Sequence, residues 1–375
     1  MAEAFASWSG PRHPKLLLVG EAFGESEDKL KLPFIGYSGK ELFRMLGEAF
    51  FDVEPKLHAS ILRMFNSEGL WAREREHWLA AASIAMTNVF NFRPLNNEIK
   101  SLCVSKKELP PDYPMPLLSQ GKYVSPQYLP ELERLSSEIL ESAPTLVMAL
   151  GNTPLWALRH ETGIGKMRGT VLLTYDGKFK MLPAYHPAAI VRQWGWRPIL
   201  VADLLKAKRE MQFPEIRRPK RRLLVQPTLQ EVRDFVELYT EAEALSVDVE
   251  TAGGYITMVG FAISPWEAIV IDFFAPEAAD GSYWPEAEER EVWQLVQTLL
   301  SGPSVKIFQN GLYDMQYFYS MGLKVHNALE DTMLLHHSIF PEMQKSLGFM
   351  GSIYTDEAAW KLTRRAKNEE LKRDE

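Results

Sequence analysis

"LLLVGEAFGESED", residues 16–28, decides how this chain is read. An apolar run suited to a buried strand breaks at Gly20 and meets a second glycine, Gly24, four residues on. Glycine turns after a first strand often cradle phosphate on backbone N–H groups and a following helix N-terminus. Here Glu21, Glu25, Glu27 and Asp28 crowd the turn, and no Lys or Arg appears in it before Lys29. Four carboxylates repel a phosphate, and neither the GxGxxG spacing nor a GK[ST] ending is present. The turn must serve something other than a phosphate.

Working outward, 375 residues suffice for two domains. A 46% hydrophobic content lets both bury proper cores. The single cysteine, Cys103, excludes a disulfide framework and a cysteine-ligated zinc or iron–sulfur site. No secretory leader and no apolar run of ~18 residues is visible, so a soluble, cytoplasmic, non-membrane protein is expected. Charge is uneven: residues 1–213 hold 26 Lys/Arg and 23 Asp/Glu, whereas 214–375 hold 16 and 26. Between them "PEIRRPKRR" (214–222) is basic and proline-punctuated, as a linker would be. The expected division is a first domain over 1–213, a linker over 214–222 and a second domain over 223–375.

In the first half, "KLLLVG" (15–20), "IAMTNVF" (84–90) and "TLVMALG" (145–151) suit buried parallel strands. "GKELFRMLGEAF" puts Leu42, Phe43, Leu46 and Phe50 on one helical face. Ser125 and Pro126 are placed to open a helix, and Asp176-Gly177 to turn a hairpin. The proline-rich 109–126 reads as a surface insertion. Alternating strands and helices give an open α/β sheet, whose ligands sit at the carboxyl ends of the strands. The turn at Gly20, Asn88, the glycine at 151 and "LPAYHPAAIVR" (182–192) would converge there.

Those segments resemble the uracil-DNA glycosylase superfamily, in the branch whose first motif runs GEAPG…PF.G..G. Here that motif reads "GEAFGESEDKLKLPFIGYSGKEL", followed in order by "TNVFNFRP", "MRGTVLLTYDGKFKMLPAYHPAAIVR" and "ADLLKAK". The resemblance implies a pocket for a flipped base. Gly20, Phe23, Phe34 and Asn88 would line it, with Phe34 stacking and the Asn88 amide pairing with the base edge. Glu21, Asn88 and His186 would be catalytic, His186 donating to the base oxygen as the leaving group gains charge. Ile190, Arg192 and Trp194 would wedge into the DNA stack. Relatives in this branch hold an iron–sulfur cluster through four cysteines. This chain lacks them, with Phe92 at one such place and Phe23 where the motif has proline, so no iron–sulfur cluster is expected.

In the second half Thr228 can cap a helix running to about residue 243, and "ALSVDVE" is a strand. Asp248 and Glu250, two apart, share one face of it. Acids in a buried strand are costly unless a cation pairs with them. Farther on, "QNGLYDMQYF" places Asp314 in the first turn of a helix. "SVDVET", this segment and "LEDTMLLHHSIFPEMQKSLGFMGSIYTDEAAWK" resemble the 3′–5′ exonuclease domain of DNA polymerase I-like enzymes, especially phage ones. The resemblance implies a ribonuclease H-like fold and Mg²⁺ or Mn²⁺ held by Asp248, Glu250 and Asp314, which should converge. The helix supplying a fourth ligand has no counterpart; Asp331 and Asp356 are the candidate substitutes, though by family position neither is a ligand. That domain would lack its C-terminal part and hold metal weakly.

The expectation is therefore a two-domain α/β, phage-encoded DNA-processing protein acting in the bacterial host cytoplasm. It would excise uracil or another modified base and carry an incomplete exonuclease domain. DNA is the expected partner, with a DNA polymerase or replication protein beside it. Two alternatives are a DNA-binding accessory module of a split polymerase and a metal-dependent 3′–5′ exonuclease.

Overall fold

The computed structural model describes residues 3–278 and 281–355. They form two compact units, one from the chain up to Ile216 together with the chain from Gly348 on, the other from Arg217–Leu347.

In the first unit the strands are β1 (Leu16–Ala22), β2 (Ile84–Phe90), β3 (Cys103–Val104), β4 (Tyr123–Val124), β5 (Leu146–Leu150), β6 (Leu172–Leu173) and β7 (Lys180–Ala184). The sheet order is β2-β1-β5-β7-β6; the first four strands are parallel, and β6 pairs antiparallel with β7. Every residue of β2 and β5 is buried, as parallel strands covered on both faces require. Helix Tyr37–Ala49 buries Leu42, Phe43 and Leu46. At the hairpin, Gly177 takes φ 72°, a left-handed conformation that glycine adopts without penalty, and Asp176 Oδ1 accepts from Lys178 N. Ser125 opens a short 3₁₀ turn, Pro126–Tyr128, ahead of helix Leu129–Ser142. The segment 109–126 is more than a surface insertion: it contributes β4, which pairs with β3, and buries Met115 and Val124 in the core.

In the second unit β8 (Arg222–Val225), β9 (Ala244–Ala252), β10 (Tyr255–Ser264), β11 (Glu267–Asp272), β12 (Val305–Phe308) and β13 (Ala328–Asp331) form one sheet. Its order is β13-β12-β9-β10-β11-β8, an antiparallel β9-β10-β11 meander extended by parallel strands, the mixed α/β sheet of a ribonuclease H-like domain. Strand β9 alternates: Leu245, Val247 and Val249 are buried, while Ser246, Asp248 and Glu250 are exposed. Val292, Val296, Leu299 and Leu300 of helix Glu286–Ser301 join the buried side. Thr228 and Glu231 close a capping box on helix Leu229–Tyr239, which ends before residue 243.

Candidate active site at the carboxyl ends of the parallel sheet

Parallel pairing sets Gly20 of β1 beside Asn88 of β2, at the end of the sheet where open α/β folds bind ligands. The glycine is required there. A Cβ at Gly20 would lie 2.2 Å from Asn88 Oδ1 and 2.5 Å from Phe34 Cζ. The Phe34 ring lies 6.2 Å from the His186 ring, centroid to centroid, and a Cβ at Gly151 would lie 3.1 Å from His186 Cβ. Gly20, Phe34, Asn88, Gly151 and His186 thus meet in one place. Asn88 is 2% exposed and its Nδ2 has no hydrogen-bond partner among the described residues. An unpaired buried amide donor costs about 1–3 kcal/mol, a debt that a ligand carbonyl oxygen would remove. The residue is held from behind: Arg134 Nη2 donates to Asn88 O at 2.7 Å and to Val89 O at 2.9 Å.

His186 is the N-cap of helix Pro187–Arg192, and its Nδ1 accepts from Ala188 N at 3.1 Å. An accepting Nδ1 carries a lone pair, so the proton of the neutral ring sits on Nε2. Burial, and then the Arg192 charge, pushes its pKa down to about 4. The ring keeps a little solvent access yet is surrounded by protein, so it is a neutral N–H donor at ordinary pH. Glu21 follows Gly20, and its Oε2 accepts from Thr153 Oγ1 at 2.5 Å. Burial raises the Glu21 pKa, against the opposing effects of Thr153 and Arg192.

The remaining acids of the opening turn have separate tasks. Glu25 pairs with Lys29 at 2.8 Å and Asp28 with Lys31 at 2.6 Å, all partly or fully exposed. Glu27 is buried, and its Oε1 accepts from Ile35 N at 3.0 Å and Gly36 N at 2.8 Å, gripping the turn that carries Phe34. Sequence motifs single out neither Glu27, Thr153 nor Arg134; a buried charge beside a glycine turn is the signal that would have found Glu27. Phe23 is buried and donates its N–H to Phe92 O at 3.2 Å. Of the residues expected to wedge into DNA, Ile190 is 0% exposed and packs inside the unit, so it is not presented to a DNA strand in this structure. Its short helix turns that side chain inward. Arg192 and Trp194 are exposed, Trp194 by 59%. Arg197, 5.4 Å from the Trp194 ring centroid, is itself pinned by Glu41 and Glu48.

In the second unit Asp248 and Glu250 lie on the exposed face of β9, while Asp314 is buried. Pairing of β12 with β9 ends at Ser246, and beyond it Asp314 Oδ1 takes up Val249 N at 2.9 Å. Burial first, then the charges of Asp248 and Asp331, push Asp314 up to about 6. The donors are hard oxygens, yet among the described residues no three His, Cys, Asp or Glu side chains stand close enough to hold a metal ion. Asp248 stands near enough for its charge to act on Asp314, and one oxygen of Asp314 is committed to the Val249 N–H. Asp331 does not substitute. Its carboxylate caps helix Thr332–Ile339 and accepts from the backbone N–H groups of Asn310, Gly311, Met333 and Leu334. Burial would raise its pKa, but these four donors outweigh that and hold it low. Asp356 lies outside the described residues.

A uracil DNA glycosylase superfamily model matches residues 7–210, and a 3′–5′ exonuclease model matches 226–372. Type-4 uracil-DNA glycosylases of Saccharolobus solfataricus and Thermotoga maritima are each 25% identical to this chain, over 201 and 198 residues. Those alignments cover 53% and 52% of this chain, and 72% and 76% of the relatives. Escherichia coli RNase D is similar at a TM-score of 0.27 and 15% identity, covering 37% of this chain and 34% of that one. The chain therefore spans about a third of that structure's length.

The type-4 relatives belong to an iron–sulfur branch, but a cluster needs thiolates. This chain has one cysteine, Cys103, whose Sγ lies 3.5 Å from Ile99 O and whose pKa burial raises. Phe92 stacks on Tyr128 at 5.4 Å instead. These residues do not fit a cluster. Among the described residues no helix is long and apolar enough to cross a membrane. Both matched families are hydrolytic and act in DNA processing, and with the first model covering more than half of its length, this chain belongs to the uracil DNA glycosylase superfamily and carries a 3′–5′ exonuclease domain behind it.

Proposed function

We propose that the first unit is a DNA glycosylase for uracil or a closely related pyrimidine, working on a base flipped out of the strand. The supporting observation is the buried Asn88 amide, its Nδ2 without a partner among the described residues, meeting Phe34 at Gly20, with the neutral His186 ring 6.2 Å from that of Phe34. Phe34 stacks on the base, and Asn88 donates Nδ2–H to its carbonyl and accepts from its imide N–H. As the bond between the base nitrogen and the sugar C1′ breaks, the electron pair leaves with the base. His186 Nε2–H meets the charge growing on the base oxygen, a stabilisation worth ~100-fold or more in rate. Glu21 orients the water that adds to C1′ and takes its proton, while the departing base anion is protonated by solvent. Trp194, with Arg192, holds the gap the base has left.

The test is release of free base from uracil-containing oligonucleotides by the 375-residue chain and by His186→Ala. Uracil release that falls at least ~100-fold in the variant is expected; equal release by both would remove His186 from the chemistry. A second reading, a DNA-binding accessory module with little catalysis, is favoured by one observation: no metal-binding group of side chains among the described residues of the exonuclease domain. Tight DNA binding without base release would select it.

A further inference from the structure

Phe34 is a bulky L-residue with φ at 55°, in the strained left-handed region that such residues rarely adopt. Such a conformation persists only where its surroundings over-determine it. Three neighbours do so here. Glu27 accepts both N–H groups that follow Phe34. Gly39, whose Cβ would lie 2.1 Å from Phe34 O, lets helix Tyr37–Ala49 press on the turn. Arg75 holds the opposite side: Nη1 donates to Phe34 O at 2.8 Å, and Nη2 to Pro33 O and to Ser9 Oγ, both at 2.7 Å.

Arg75 belongs to helix Glu68–Ala82, which contains none of the glycosylase motifs, and it is 1% exposed. Its guanidinium lies 5.2 Å from the Trp71 ring centroid, and its Nε faces Glu76 Oε1 at 3.5 Å. Burying a guanidinium is expensive unless rigid, multiple donation makes use of it. Here that donation goes to Ser9 Oγ and to the two carbonyls of the turn that carries the ring.

Resting on the glycosylase reading above, we propose that Arg75 is a positioning residue for the base platform: its forked donation to Pro33 O and Phe34 O holds the left-handed turn that aims the Phe34 ring at Asn88 and His186. Lysine at this place keeps the charge but lacks the planar fork, so its donation no longer fixes the two carbonyls in one rigid geometry. Arg75 then acts on the base only through Phe34.

A double-mutant cycle on the full chain tests this, reading affinity for a fluorescent single strand with one uracil, in EDTA. Phe34→Ala should weaken binding roughly tenfold, the worth of one base–aromatic stack. Arg75→Lys should weaken it to a similar degree when Phe34 is present, and less than about twofold in the Phe34→Ala background, since the platform it serves is gone. Equal losses in both backgrounds, or wild-type affinity for a folded Arg75→Lys, would overturn the proposal while leaving the glycosylase reading intact. An unchanged affinity for Phe34→Ala would instead overturn the platform itself. Should Arg75→Lys fail to fold, Arg75→Gln carries the same cycle. Loss of folding in both would mark Arg75 as a general structural residue and refute the specific role.

Discussion

Gly20→Ala is the sharpest probe of the pocket. Gly20 does not occupy the left-handed region, so alanine suits its backbone and the whole effect comes from one methyl group. That methyl would sit 2.2 Å from Asn88 Oδ1 and 2.5 Å from Phe34 Cζ, whereas ordinary contact begins at 3.4 Å. Both atoms are side-chain ends, so each must retreat by about 1 Å while the strand stays in place. Overpacking of this kind costs about 1–3 kcal/mol of stability, which a well-buried sheet can absorb. Catalysis is less tolerant: a 1 Å misplacement costs ~100-fold, or about 2.7 kcal/mol of barrier. The assay is single-turnover release of uracil from a labelled strand, with thermal denaturation alongside. The expected result is a folded protein with a rate down ~100-fold. A folded Gly20→Ala with a rate within threefold of wild type would refute the placement of the base against Asn88 and Phe34.

Other expectations follow from the same geometry. Thr153→Val removes the hydroxyl that favours the ionised form of Glu21, so the Glu21 pKa rises further and activity is lost at a higher pH as the solution is acidified. The loss should be roughly tenfold on the acid limb and small above it, read from a pH–rate profile, with Thr153→Ser restoring the wild-type curve. Since His186 stays neutral down to about 4, that limb belongs to Glu21. In the second domain, Mg²⁺ or Mn²⁺ should support at most feeble 3′–5′ shortening of single strands, abolished by Asp248→Ala or EDTA. Robust Mg²⁺-dependent digestion would show that other residues complete a cage. Iron analysis of the purified chain should find less than one iron per molecule, and Cys103→Ser should keep its fold and any base release.

Much of the pocket can be read from the sequence because the motifs carry geometry. An apolar run ending at Gly20 and another ending near Asn88 become neighbours once the strands are parallel, and the His-Pro after a third strand caps a helix at the same end. What sequence does not disclose is support from elsewhere in the chain. Arg75, Arg134 and Thr153 reach the site from three helices, and nothing in their local patterns distinguishes them from surface residues. Ile190 follows His186 closely in sequence, but its side chain is buried within the unit. Asp331, whose charge reaches Asp314, is a helix cap that accepts from four backbone N–H groups. Nor does local sequence tell that the chain from Gly348 on returns to the first unit. There Arg168 and Lys206, both buried, donate to Ser352 Oγ and Ser352 O, and Lys206 also to Thr355 O.

The most direct test of the central claim uses a 5′-labelled oligonucleotide with one uracil, incubated with the purified chain in EDTA and then cleaved with hot alkali. Strand scission at the uracil alone, without metal, is expected, because the proposed chemistry needs only Phe34, Asn88, His186 and Glu21. An intact strand after complete binding of the oligonucleotide would contradict it.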